Sequence, residues 1–228
     1  MDDLTISKVE CHDSLLDVWE KKFPTEKWHF NRDGIISPDH WERSDLKVLF
    51  ILKETNKARQ NVVNAITNAL SSKKSCWWKG KVLRRVGRWA YGLANYSGEV
   101  PSFKDAKSFG KEAAWSIAYI NMRKTAGGSR TNKKSFDAHV NEYAPYIKRQ
   151  VELIKPDVIV LCGTFKPVKK HVFPEMEHVC KRVHKYNNML LINAFHPAAI
   201  VKSAGIYHQV LDSYHNYKIN YAGEKTCT

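Results

Sequence analysis

The sequence lacks several patterns that would assign a class directly. Its five cysteines, Cys11, Cys76, Cys162, Cys180 and Cys227, are scattered, and no two of them form a CxxC pair. An odd number of unclustered cysteines argues against a disulfide framework and against a zinc or iron–sulfur site, so we expect no metal and no other cofactor. A GxSxG nucleophile motif and a Walker-type phosphate loop are also missing, which disfavours a hydrolase of phosphorylated small molecules.

Long apolar runs are missing as well. No stretch approaches the roughly 20 apolar residues that cross a bilayer, and no signal-type segment follows the acidic start Met1-Asp2-Asp3. We therefore expect a cytoplasmic protein with no membrane partner. Hydrophobic residues make up 43% of the 228 residues. This fraction is enough to fill the core of one domain over residues 1–228, with residues 1–45 as an N-terminal elaboration packed onto it.

Positive charge is what the sequence has in excess. It contains 37 Lys and Arg residues against 23 Asp and Glu residues, which gives a formal net charge of +14 at pH 7. A surface of this sign attracts polyanions, and nucleic acid is the commonest polyanion in cytoplasm. Many solvated surface lysines are the alternative explanation. We expect a nucleic-acid partner, and a monomer as the default state.

Four short apolar runs predict the strands of a parallel sheet, at residues 47–52, 115–121, 157–162 and 189–193. The other predicted elements are helices over residues 13–22, 61–70, 82–93, 135–154 and 205–217, and a turn at 31–34. This alternation predicts an α/β fold, a three-layer α/β/α sandwich with a central, mainly parallel four-stranded sheet. The predicted strands are followed by polar residues, and ligands bind at the carboxyl ends of strands in such sheets. The sequence therefore predicts a site there.

The four runs also resemble, in order, four motifs of the uracil-DNA glycosylase superfamily over residues 46–203. The matching segments are Val48–Asn56 (first strand and polar loop), Ile117–Asn121 (second strand), Ile154–Gly163 (third strand) and Asn193–Ala198 (closing His-Pro-Ser motif). Three positions depart from the family pattern. Lys53 and Asn56 replace a glycine and a proline of the first loop, and Ala198 replaces the serine of the last motif.

The resemblance implies a monofunctional DNA glycosylase with water as nucleophile. Such an enzyme flips a uracil-like, deaminated or modified base out of single- or double-stranded DNA and hydrolyses its N-glycosidic bond. The implied role is base-excision repair or defence against phage with modified DNA. A non-catalytic nucleic-acid-binding module on the same fold is the alternative.

The same resemblance assigns three catalytic residues. The sugar develops oxocarbenium character while the departing base becomes negative, so the site needs a carboxylate near the sugar and donors near the base. Glu54 is expected to position water and stabilise the cation, although a solvated carboxylate paired with Lys53 or Lys57 is the alternative. Asn121 is expected to read the base, or else to cap a loop. His196 is expected to bond the leaving base or the adjacent sugar–phosphate, or else to be a core or helix-start histidine.

Further contacts to the base are expected from an aromatic ring and from the first loop. Trp78 follows Trp77 and lies where relatives place an aromatic before a glycine, so it is a candidate stacking face. Stacking of this kind is worth ~1–3 kcal/mol per base. Two adjacent tryptophans equally suit a helix anchor in the core. Thr55 and Asn56 are the other predicted base-binding residues.

Eight residues are expected on the DNA backbone or in its base stack: Lys53, Arg123, Lys124, Ser129, Arg130, Ile200, Lys202 and Ser203. The loop after Asn121 is basic and contains glycine, which favours phosphate contact, with an ordinary flexible loop as the alternative. Ile200, or Val201 beside it, is expected to wedge into the duplex as the base leaves, with Lys202 and Ser203 on phosphate. The first turn of the last helix is an alternative compatible with this role.

Overall fold

The computed structural model describes residues 6–23, 29–56, 61–72, 76–128 and 131–221. Within these ranges one mixed sheet contains seven strands: β1 (Gly34–Ile35), β2 (Val48–Leu52), β3 (Ile117–Asn121), β4 (Val158–Cys162), β5 (Glu177–Cys180), β6 (Val183–Tyr186) and β7 (Met189–Ala194). Their order across the sheet is β1-β3-β2-β4-β7-β6-β5. The chain therefore has the predicted α/β class, but the described sheet has seven strands rather than four.

The four strands expected from the sequence lie side by side as β3, β2, β4 and β7, and each neighbouring pair is parallel. Strand β1 joins one edge antiparallel to β3, and the hairpin of β5 and β6 joins the other edge antiparallel to β7. Sequence patterns missed these three strands because β1 has two residues and the hairpin is polar. Residues 115–116, expected in β3, form a 3-10 turn with Ala114.

The parallel strands are apolar throughout because both of their faces are covered. All five residues of β2 are buried, and so are all five residues of β4. Along β2, Phe50 belongs to one hydrophobic core and Ile51 to a second core on the opposite face. This arrangement leaves the strand ends as the places where polar side chains emerge.

Helices cover both faces of the sheet. In chain order they are α1 (His12–Glu20), α2 (Pro38–Glu42), α3 (Val62–Ser71), α4 (Cys76–Lys79), α5 (Lys81–Ala94), α6 (Phe103–Ala113), α7 (Lys133–Glu142), α8 (Ala144–Ile154), α9 (Phe165–Pro167, continued by a π turn over Val168–Val172) and α10 (Ser203–Asn220). Helices α1, α7 and α8 pack on one face, and α3, α5, α6 and α10 pack on the other. Across the described ranges, none of them combines the length and apolar character required to cross a bilayer.

Two helices differ from the sequence expectation. The helix predicted over residues 135–154 is divided at Tyr143 into α7 and α8, because Pro145 lies in the first turn of α8. Proline lacks a backbone N–H and disfavours helical geometry at the preceding residue. Helix α6 was not predicted, although its start has a recognisable signal. The Ser102 hydroxyl accepts the Asp105 backbone N–H and donates to the Asp105 carboxylate, as in a Ser-x-x-acid cap.

A buried ion pair joins the N-terminal segment to the end of β3. The Lys124 ammonium lies 2.6 Å from Asp33 Oδ1, and both side chains are completely buried. The ammonium also donates to Gln150 Oε1 at 2.8 Å, while Asp33 Oδ2 accepts the backbone N–H of Asn121 at 2.7 Å. This position corrects the expectation that Lys124 contacts a DNA phosphate, because its charge is enclosed in protein and paired there.

Replacing Lys124 by methionine leaves Asp33 buried without a counter-charge. We expect the free energy of unfolding, measured by urea denaturation, to fall by about 3–5 kcal/mol. Lys218→Met is the control at an exposed lysine, where the change should stay within about 0.5 kcal/mol. A loss for Lys124→Met as small as that of the control would contradict a charged pair in the interior.

Candidate active site at the carboxyl edge of the sheet

The loops that follow β2 and β3 are bonded to each other at the carboxyl edge of the sheet. Leu52 is in register with Asn121, and the pairing continues beyond the strands, where Arg123 N donates to Lys53 O at 2.9 Å. Further out, Gly127 N donates to Thr55 O at 2.8 Å. The residues after Leu52 and those after Asn121 therefore form one continuous wall of the site.

Glu54 is held by an ion pair. Its Oε2 lies 2.8 Å from Nη1 of Arg123, and the exposed fractions of the two side chains are 5% and 14%. Arg123 also donates to Ser135 Oγ at 3.2 Å, and its guanidinium lies over the Phe136 ring. Arg123 thus points inward and positions Glu54, which corrects the expectation that it contacts a phosphate. The solvated pairing with a neighbouring lysine, considered for Glu54, is replaced by this contact.

Gly127 closes the other side of the Glu54 carboxyl group. A Cβ atom at residue 127 would lie 2.3 Å from both Cδ and Oε1 of Glu54, a distance that real Cβ atoms do not reach. The backbone of the Arg123–Gly128 loop therefore approaches the carboxylate as closely as a glycine permits. Ser129 and Arg130, predicted in the same loop to bind phosphate, lie outside the described residues.

Asn121 ends β3 with a buried side chain. Only 2% of the residue is exposed, and its backbone N–H is taken by Asp33. Within the part of the chain that the structure describes, its side-chain Nδ2 has no hydrogen-bond partner. A buried amide donor left unpaired costs about 1–3 kcal/mol, so its position requires an explanation.

His196 follows β7 and is a neutral donor. Its Nδ1 accepts the Ala198 backbone N–H at 3.1 Å, so the ring proton belongs on Nε2. Burial, helped by the positive charge of Lys53, lowers the pKa of His196 to about 4. Gly163 follows β4 with φ of +71°, and a Cβ atom built on it would lie 3.2 Å from Cβ of His196, so the two loops pack closely there. Near neutral pH, therefore, His196 offers an uncharged Nε2–H.

The loop after His196 is braced from helix α5. Arg85 donates from Nη1 to the carbonyl oxygens of Pro197 (2.7 Å) and Ala199 (2.9 Å). It donates from Nη2 to Val201 O (2.7 Å) and Ser203 Oγ (3.3 Å). The sequence favours a DNA-facing surface for Arg85, as a basic neighbour of Trp77 and Trp78, but the structure buries it against this loop. An arginine on the apolar stripe of a predicted helix is a signal that such a partner exists.

Ile200 stands at the tip of this braced loop. Ile200 is 100% exposed and Val201 is 41% exposed, so both are accessible to a partner, and the wedge role stays a prediction. Lys202 is exposed at the base of the loop, and Ser203 begins α10 with its hydroxyl on Arg85.

The predicted base-binding residues have mixed surroundings. Trp78 is half-buried against the core, and its ring reaches within 3.0 Å of a Cβ built on Gly87, which favours the helix-anchor alternative. Thr55 Oγ1 accepts from the Asn31 amide at 2.7 Å, and Asn56 is exposed. Lys57 lies outside the described residues, as does the Trp77 side chain.

Comparisons with protein families and with curated proteins gave no match for this chain. In the described ranges, the side chains of His, Cys, Asp and Glu form no group of three or more suited to a metal ion. Assignment of function therefore depends on the motif resemblance and on the contacts given above.

Replacing Gly127 by alanine places a methyl group inside the Glu54 carboxylate. We expect this overpacking to lower the free energy of unfolding by about 1–3 kcal/mol in urea denaturation. Gly205→Ala is the matched control, since its new methyl would meet only Val201 Cγ1 at 3.8 Å within α10. That change should leave stability unaltered or raise it by up to about 1 kcal/mol. Equal effects of the two substitutions would contradict the tight contact.

The titration of His196 provides a second test of the site. NMR titration should give a pKa for His196 of about 4, below the ordinary value of about 6.5. Lys53→Met should raise this pKa without restoring the ordinary value, because burial is the larger cause. Lys166→Met, which removes another nearby cation, should leave the pKa nearly unchanged. A wild-type midpoint at the ordinary value would show that the ring is solvated.

Proposed function

We propose that the chain is a monofunctional DNA glycosylase that hydrolyses the N-glycosidic bond of a uracil-like, deaminated or modified base. The observation that carries the proposal is the buried, unpaired amide of Asn121 at the sheet edge where Glu54 and His196 also lie. A base carbonyl oxygen placed there would accept the Nδ2–H and remove the cost of the unpaired donor. A wrong base would leave that donor unpaired, which supplies selectivity.

In this proposal the two donors act on the leaving base. Asn121 binds its edge, and the Nε2–H of His196 donates to the oxygen where negative charge develops. A neutral imidazole serves here because it donates without first taking up a proton. The donation should therefore be constant over about pH 5 to 8, since the pKa of His196 is about 4.

Glu54 orients the nucleophilic water in this proposal. Arg123 binds Oε2, so Oε1, which lies against the Gly127 backbone, is the oxygen proposed to orient a nucleophilic water. Because Arg123 offsets the carboxylate charge, orientation of water contributes more than direct stabilisation of the sugar cation. Ile200 enters the stack left by the flipped base.

The setting of the activity is part of the same proposal. Single- or double-stranded DNA is the proposed substrate, and base-excision repair or defence against phage with modified DNA is the proposed role. The net charge of +14 supports a polyanionic partner. A cytoplasmic monomer is the proposed state.

A non-catalytic nucleic-acid-binding module is the second candidate. The ion pair of Glu54 with Arg123 favours it, because a carboxylate bound to an arginine and largely buried also suits a purely structural role. The two candidates differ in one property, which is the release of a free base.

Base release from a DNA panel separates the two. The panel contains uracil, hypoxanthine and modified cytosines in single and double strands, and mass spectrometry detects the free base. We expect wild-type protein to release one of them, and Glu54→Gln to lower the rate by about 10²–10⁴-fold with nearly unchanged DNA affinity. His196→Ala should act in the same direction.

The control for this experiment is Glu99→Gln, which removes the same charge at an exposed position and should release base at the wild-type rate. If the wild type binds DNA but releases no base from any member of the panel, the binding module is favoured.

A further inference from the structure

A cavity of about 690 Å³ opens at the same edge of the sheet, where β4 and β7 end and α7 begins. Six basic side chains line it: Lys53, Lys133, Lys134, Lys166, Arg182 and His196. We call it the lysine cavity. Its volume is in the range of pockets that hold small molecules, about 300–1,000 Å³. Apart from Lys53 and His196, none of these side chains was selected from the sequence.

The charge of the lysine cavity is strongly positive. Among its described lining residues the one carboxylate is Asp137. That carboxylate is already bonded to Lys170 at 3.0 Å and to His171 at 3.1 Å. The lysines of the cavity and Arg182 therefore have no carboxylate partner within it, and an anionic ligand would supply the missing negative charge.

Aromatic rings lie among these cations. Phe195 is 45% exposed, and the Arg182 guanidinium lies 5.1 Å from its ring centroid. Phe165 lines the cavity as well, with its ring against that of His184. Cations beside exposed aromatic faces are the combination that binds nucleotides, because phosphate pairs with the cations and the base stacks on a ring.

We propose that the lysine cavity is a subsite for a nucleotide other than the one whose base Asn121 reads. The nucleotide phosphate binds Lys133, Lys134 and Lys166, and its base stacks on Phe195. His196 lines the cavity and also stands at the candidate active site, so a nucleotide here would be a neighbour of the target in the strand. This placement rests on the proposed function, whereas the nucleotide chemistry of the cavity does not. A free nucleotide is the other source of the same ligand.

Two double variants test the charge. Lys133→Ala/Lys166→Ala removes two exposed cations of the cavity. Arg43→Ala/Lys218→Ala removes two exposed cations near the amino ends of the parallel strands. Arg43 precedes β2. Lys218 follows Tyr217, whose ring lies under Lys185, and Lys185 is paired with Leu190 near the start of β7. Binding of a short single-stranded oligonucleotide is measured over a range of salt concentrations.

We expect the cavity variant to bind the oligonucleotide about tenfold more weakly, with the salt slope reduced by roughly 0.7 for each phosphate that the variant no longer neutralises. The control variant should keep both the affinity and the slope near wild type. An unchanged slope in the cavity variant, or an equal reduction in the control, would overturn the proposal for DNA.

Stacking is tested separately from charge. Phe195→Leu should weaken binding of the oligonucleotide by about tenfold without altering the salt slope. Phe109→Leu is the matched control at another exposed phenylalanine, on α6, and should have no effect. Equal behaviour of the two variants would reduce the cavity to a phosphate site and overturn the nucleotide assignment.

The source of the nucleotide is decided by calorimetry with deoxyadenosine monophosphate and with inorganic phosphate. Binding of the monophosphate that disappears in Lys133→Ala/Lys166→Ala, with unchanged oligonucleotide binding, identifies a free nucleotide as the ligand. No cavity-dependent binding of either nucleotide or strand overturns the inference. Base release, measured in parallel at saturating DNA, tests the proposed function independently, because its absence leaves the binding comparison intact.

Discussion

The ion pair of Lys124 with Asp33 fixes the end of β3, where the candidate residue Asn121 lies. Asp33 comes from the N-terminal segment and accepts the backbone N–H of Asn121, while Lys124 follows the same strand and returns its ammonium to Asp33. Removing either charge leaves the other buried, which is far more costly than losing a surface pair. The end of β3 is therefore held by the buried ion pair and by pairing with the neighbouring strands. The position of Asn121 is therefore well defined, and so is the start of the loop that continues to Arg123 and Gly127.

The candidate site controls charge by pairing and by burial. Glu54 is paired with Arg123, and burial beside Lys53 keeps His196 neutral by lowering its pKa. The cations without acidic partners line the neighbouring lysine cavity. Positive side chains are thus concentrated in the lysine cavity, while the groups proposed to act on the glycosidic bond carry little net charge. For the proposed glycosylase, attraction for DNA and chemistry on the base would then depend largely on different residues.

Local patterns in the sequence were sufficient for the parallel strands, because each is a short buried run that ends in polar residues. The same logic located Glu54, Asn121 and His196 at one edge. It failed where a role depends on partners distant in sequence. Lys124 and Arg123 have the composition of a phosphate-binding loop, yet Asp33 and Glu54 draw them inward. Arg85 acts on carbonyl groups more than 110 residues away, and the edge hairpin is held by pairing with β7 rather than by its own propensity.

The bracing of the Ile200 loop by Arg85 has a kinetic consequence. A loop that becomes ordered only on contact with its partner must lose conformational entropy at that moment, at about 1–2 kcal/mol for each residue fixed. Here three carbonyl groups are already bonded to one guanidinium before any partner arrives. For the proposed glycosylase, the rate of association would then depend on the opening of the nucleic acid, because the loop that carries Ile200 is already ordered.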